Sequence, residues 1–221
     1  MKHEPIFTPL DLREWSRGEQ FWYFSQAAPT GYSLTAELDI TSLRAELRRT
    51  GRKFYPAYLW LVTRALNEQT EFKVAEKDGR VGFYDCLTPL YAVFHEDDKT
   101  FSLMWTEFDE GFGEFYAAYE RDGREYGANH GILAKKEPLP PPNAYTVSCL
   151  PWISFKHFAV HSYGKPYYFP SVECGKFYEK DGRVLLPLSV TCHHAATDGW
   201  HMSRFLEKLQ SDMDRFAEIT E

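Results

Sequence analysis

Cysteine is scarce in this chain: Cys86, Cys149, Cys174 and Cys192 are the only four among 221 residues. No two have CxxC spacing, which removes the zinc-knuckle reading. Long apolar runs are missing as well. The longest, "YPAYLWLV", falls far short of the roughly 20 residues that a membrane-spanning helix needs. The N-terminal "MKHEPIFTPL" holds no apolar signal segment, so the expectation is a cytoplasmic protein with reduced thiols. Basic clusters are short. None exceeds "LRRTGRK", and the net charge of −7 argues against the basic face that a nucleic-acid-binding domain presents. No internal repeat occurs. Proline-rich sequence is confined to "KKEPLPPPNAY", Lys135 to Tyr145. It reads as a loop inside one domain spanning 1–221, because strand-like sequence resumes at once.

Aromatic residues, by contrast, are plentiful. Tyr, Phe and Trp number 14, 17 and 6, a supply that suits a core, a flat-ligand pocket or a subunit interface. The hydrophobic fraction of 43% excludes a disordered chain and is enough for a buried core.

The patterning is mixed. "GYSLTAELDI" alternates and predicts a strand. "TSLRAELRRTG" predicts a short helix with Thr41 as N-cap and Gly51 as stop. "KFYPAYLWLVTRALNEQ" predicts a second helix, with Pro56 in its first turn and Tyr58, Leu59, Val62 and Leu66 on one face. Three hairpins follow: one turning at Asp78-Gly79, one at the acidic turn of "YAVFHEDDKTFSLMW", and one at Asp181-Gly182. "FGEFYAAYERDGREYG" and "GWHMSRFLEKLQSDMDRFAE" predict helices. Antiparallel hairpins and helices in one domain imply a sheet with helices packed on it, of mixed α/β (α+β) class.

The densest polar stretch is "VTCHHAATDGWH", Val190 to His201. Adjacent strand residues point to opposite faces, so His193 and His194 do not converge on one ligand, and no metal site is expected. Two readings remain for each of the other groups. His194 is either a satisfied strand-end histidine or a general base, whose near-neutral pKa lets imidazole take a proton from a hydroxyl. Asp198 is either the cap of the following helix or part of a site.

These residues resemble a known pattern. His193-His194-x-x-x-Asp198-Gly199 is similar to the active-site motif of the chloramphenicol acetyltransferases, within the wider superfamily of CoA-dependent acyltransferases. "WSRGEQF", "KFYPA", "VFHEDDKTFS", "SCLPWISF" and "LLPLSVTCHHAATDGWH" resemble family segments in the family's order, over nearly the whole chain. The resemblance implies a two-layer sandwich with a mixed, largely antiparallel sheet. It implies a homotrimer with active sites between subunits, and acetyl-CoA as cosubstrate, without metal. It implies that His194 is the general base in direct attack of a chloramphenicol hydroxyl on the thioester. Ser148 would stabilise the oxyanion, and Asp198 and Arg17 would form a structural ion pair. Breaking such a pair when buried costs roughly 3–5 kcal/mol. Phe24, Thr30, Phe101, Phe158 and Val160 fall at or near positions that line the acceptor pocket.

The chain also departs from the family. Phe24 stands where many members have tyrosine, Thr30 where cysteine is frequent, Glu173 where threonine is common, and Thr191 where glutamine is common. The loop "HSYGKPYY" looks about one residue short. The changes leave the chemistry intact and leave room for a different hydroxyl acceptor.

Overall fold

A computed structural model describes residues 4–161 and 167–220. Most of the short loop at 161–168 therefore lies outside the described residues. Two sheets form. The small one pairs β1 (Phe7–Pro9), β4 (Arg80–Tyr84) and β3 (Val74–Lys77) in that order. The large one runs β2 (Gly31–Asp39), β10 (Arg183–His193), β8 (Ser171–Gly175), β7 (Ala144–Leu150), β5 (Thr88–Phe94) and β6 (Phe101–Trp105), with β9 (Tyr178–Lys180) also on β10. The β5–β7 and β7–β8 pairings are parallel; the others are antiparallel, as the resemblance implied.

Turn chemistry places the hairpins where Asp-Gly predicted them. Asp78 and Gly79 have φ of 51° and 71°, and Asp181 and Gly182 have 50° and 75°, the left-handed pair that a tight two-residue turn requires. Pro187 lies in β10 between the stretch paired with β9 and the stretch paired with β8, where a missing N–H costs no ladder bond on that side.

The helical layer consists of α2 (Thr41–Thr50), α3 (Phe54–Asn67), α4 (Phe112–Tyr126), α5 (Gly199–Asp214) and the short α6 (Phe216–Ile219). Helix α3 is buried all round, not on the single predicted face: Leu59, Trp60, Leu61, Val62 and Leu66 are all fully inaccessible. Each such leucine or valine contributes at most about 1.5–3 kcal/mol of burial. Gly51 ends α2 in the left-handed conformation, as predicted. The N-cap prediction needs correcting. Ile40, not Thr41, is the N-cap; Thr41 is the first helical residue, and its N–H and hydroxyl both donate to Asp39 Oδ1.

The two faces of the large sheet differ. Val147, Cys149, Val172, Cys174, Leu188, Val190 and Cys192 pack into or against the core. The alternate residues form a hydroxyl-rich face: Ser33 meets Thr191 at 2.9 Å, and Thr35 donates to Ser189 at 3.1 Å. Thr146, Ser148, Ser171 and Glu173 continue it across β7 and β8 by strand alternation.

Candidate active site

The turn after β10 presents His194. Its backbone N–H donates to Thr30 O at 2.8 Å, and the His193 carbonyl accepts from Ala196 and Thr197 N–H at 3.1 and 3.3 Å. Ala195 and Ala196 are fully buried against Phe21, Val74 and Tyr168, which holds the turn to the body of the protein. His193 and His194 do point apart. His193 packs edge-on against Tyr168, with 4.9 Å between ring centroids. Burial, and then the neighbouring His194, push the His193 pKa down. His194 lies against Phe24 at 4.1 Å and Tyr32 at 5.3 Å.

The His194 tautomer follows from its partner. Nδ1 lies 3.0 Å from Thr197 O. A carbonyl only accepts, so Nδ1 carries the proton and Nε2 keeps its lone pair. That is the state a general base needs.

Asp198 braces this turn. Arg17 Nη1 donates to its Oδ2 in an ion pair whose side chains are 12% and 33% exposed. Arg17 Nη2 also reaches the His194 carbonyl at 3.5 Å. Oδ1 accepts from Trp200 N–H at 3.0 Å, capping α5, and from His201 Nδ1 at 2.9 Å. Asp198 therefore caps α5 and pairs with Arg17 at once. Burial would raise its pKa, but the Arg17 and His201 hydrogen bonds outweigh burial and hold it at about 2. Arg17 is positioned by α1 (Gly18–Trp22), which begins just after it. A Cβ on Gly18 would lie 1.7 Å from Leu12 O, so only glycine allows that approach. His201 was not assigned a role from sequence; its place three residues after Asp198, in capping-box register, was the available signal.

Ser148 lies elsewhere. Registers align Ser148 with Glu173 and Glu173 with Ser189. His194 is five positions beyond Ser189 in the chain, roughly 15 Å along the strand direction, and β10 is two strands from β7. One chain does not bring His194 and Ser148 together. Phe158 belongs to the Ser148 side, where its carbonyl accepts from Ser189 Oγ. Phe24 and Thr30 belong to the His194 side; the Thr30 hydroxyl donates to Ala28 O at 2.6 Å. Phe101 and Val160 are exposed, and Phe101 pairs across the strand with Phe94, whose ring meets Trp152.

Glu173 is 1% exposed. Its Oε1 accepts from Ser171 Oγ, and its Oε2 is buried without a partner. Burial pushes its pKa up to about 7 against the opposing hydrogen bond from Ser171. Among the described residues, one trio could gather a metal ion, and it lies outside the histidine stretch: Asp97, Asp98 and His130, all exposed.

The family model for chloramphenicol acetyltransferase matches residues 6–210. The chain belongs to the chloramphenicol acetyltransferase family. It is 39% identical to a chloramphenicol acetyltransferase of Campylobacter coli over 95% of this chain and 99% of that one. It is 40% identical to chloramphenicol acetyltransferase 2 of Escherichia coli over 92% of this chain and 95% of that one. A solved chloramphenicol acetyltransferase shares the fold, with a TM-score of 0.87 at 24% identity, covering 94% of this chain and 100% of that one. Glu173 enters the polar face beside Ser148. No described helix is long and apolar enough to cross a membrane.

Proposed function

We propose that residues 1–221 form one acetyl-CoA-dependent O-acetyltransferase domain that transfers acetyl to a hydroxyl of chloramphenicol. It acts in the cytoplasm as a homotrimer with its sites between subunits. The observation that carries the chemistry is His194, with Nδ1 tied to Thr197 O and Nε2 left as a base. Nε2 takes the acceptor's hydroxyl proton while that oxygen attacks the thioester carbonyl. Negative charge then gathers on the carbonyl oxygen, and the Ser148 hydroxyl donates to it. Collapse breaks the carbon–sulfur bond, and the imidazolium returns its proton to the departing thiolate. The products are the acetyl ester and free CoA. Arg17 and Asp198 hold the turn and take no proton.

The wide separation of His194 and Ser148 within one chain supports a site built from two copies. Phe24, Thr30, Phe101, Phe158 and Val160 would line the acceptor pocket, divided between the two contributing subunits. The exposed Phe101, Trp152, Ile153 and Val160 are the kind of surface that assembly covers. The test is thiol release from acetyl-CoA with and without chloramphenicol. Acceptor-dependent release is expected; none above background, from folded and assembled protein, overturns the reading. Glu173 motivates a second reading, the same transfer to another hydroxyl compound with little activity on chloramphenicol. An acceptor panel in the same assay separates the two.

A further inference from the structure

Two polar side chains on the hydroxyl-rich face stand side by side, each with an oxygen that has no partner among the described residues. Ser148 and Glu173 are register neighbours on parallel strands, so their Cα atoms are about 5 Å apart and their side chains share a face. Among the described residues, the Ser148 carbonyl accepts from the Tyr58 hydroxyl at 3.3 Å, and the Ser148 hydroxyl has no hydrogen-bond partner. Glu173 Oε1 is occupied by Ser171, and Oε2 is sealed from solvent and unmatched. A buried polar atom without a partner is unfavourable, and by register Ser148 on β7 and Ser189 on β10 flank it; the Ser189 hydroxyl already donates to Phe158 O and accepts from Thr35, which leaves the serine of β7.

We propose that the Glu173 carboxyl sets the direction of hydrogen bonding at Ser148 and so gates oxyanion stabilisation. As a neutral acid, Glu173 donates through Oε2 to Ser148 Oγ, and the serine proton is free to point at the developing oxyanion. As a carboxylate, Glu173 can only accept, and it draws the serine proton to itself. The first arrangement is a chain of donors, each polarising the next. The second removes the donor and adds a negative charge beside the oxyanion.

The surroundings let the carboxyl stay neutral near physiological pH. On the same face it accepts from the Ser171 hydroxyl, and Ser148 and Ser189 are its register neighbours. Through the sheet, Tyr58 of α3 and Cys192 of β10 feel its charge; burial raises both, Cys192 to about 12, so neither is charged. The segment 151–161 also crosses this face: Phe155 lies against Gly175, and Phe158 O accepts from Ser189. Its chargeable groups, Lys156, His157 and His161, are exposed. No ion pair to Glu173 occurs among the described residues. Burial then leaves the carboxyl titrating near 7. Glu173 is thus a positioning residue acting through Ser148.

This inference rests on the acetyltransferase reading, and its test separates the two. The kcat for acetyl-CoA and chloramphenicol is measured from pH 5.5 to 9 for wild type, Glu173→Gln and Ser148→Ala. The wild type is expected to lose activity about tenfold per pH unit above the carboxyl's titration, towards a floor about 10²–10³-fold down. In Glu173→Gln the amide still donates and cannot ionise, so the alkaline fall disappears. In Ser148→Ala the rate is low throughout and the fall is much smaller, since only the charge of the carboxylate remains to act on the oxyanion. An alkaline fall that persists unchanged in either variant overturns the proposal. Wild type inactive at every pH overturns the acetyltransferase reading instead. Glu173 is then read alone by infrared difference, wild type minus Glu173→Gln. A protonated-carboxyl band present at pH 6 and gone by pH 9 supports the neutral acid; no band at pH 6 overturns it.

Discussion

Around His194, most of the groups that the chemistry would use are matched inside one chain, although Arg17 Nε is buried without a partner among the described residues. Nδ1 has Thr197 O, Asp198 has Arg17, His201 and the start of α5, and the turn itself is tied to Thr30. Around Ser148, among the described residues, its half-buried hydroxyl and the buried Glu173 Oε2 have no partner, and Trp152 stands exposed. A folded chain rarely leaves buried polar atoms unmatched without a use for them. The difference teaches that the imidazole of His194 is oriented by its own chain, whereas the Ser148 hydroxyl is left free among the described residues.

Two substitutions set the scale of this contrast. His194→Ala should lower kcat by about 10³-fold or more while thermal unfolding stays close to wild type. Ser148→Ala should lower it by about 10²–10³-fold, as the loss of one oxyanion donor does. Equal effects of both on folding, seen by circular dichroism, would blur the distinction between the halves. Mixing the halves breaks the comparison more directly. Trimers co-assembled from equal amounts of His194→Ala and Ser148→Ala chains should recover roughly a quarter of the wild-type rate, since a quarter of the interfaces unite two intact halves. No recovery from verified mixed trimers means that each site lies within one chain.

Smaller effects sharpen the contrast through stability. Asp198→Asn removes a half-buried charge pair and should destabilise by about 1–3 kcal/mol at neutral pH, less than a fully buried pair because a third of Asp198 stays exposed. The sign follows from the depressed pKa: the contribution is present above pH 3.8 and is lost as pH falls through about 2. Urea unfolding of wild type and variant should therefore converge in acid. Glu173→Gln should act oppositely. A carboxyl raised from 4.5 to about 7 costs wild-type stability as pH rises through that window, and the loss levels off above it. The variant should gain up to about 3 kcal/mol over wild type by pH 8, and nothing near pH 4.5.

Local rules carried much of the architecture. Asp-Gly pairs gave two hairpins because two successive left-handed residues suit few other sequences. Gly51 gave the end of α2. The Thr41 cap was off by one because Asp39, two residues earlier, offers a better acceptor to the helix start. The exposed and covered faces of α3 could not be read from its sequence, since flanking helices bury the side that periodicity alone would leave to solvent. At the site, the His194 motif, Asp198, Arg17 and Ser148 were legible through resemblance. The part of His201 as a brace was not, although its spacing from Asp198 pointed to a cap.

The amino-acid order by itself determined the segments: which stretches are strands and where chains reverse. Those depend on interactions a few residues apart. Only the tertiary structure decided what those residues meet. The registers of β10 with β8 and of β8 with β7 join positions far apart in the chain. They place Ser148 beside Glu173 and away from His194. Burial of Glu173 on that face, a property of the packed molecule and not of a glutamate, then moves its titration into the neutral range.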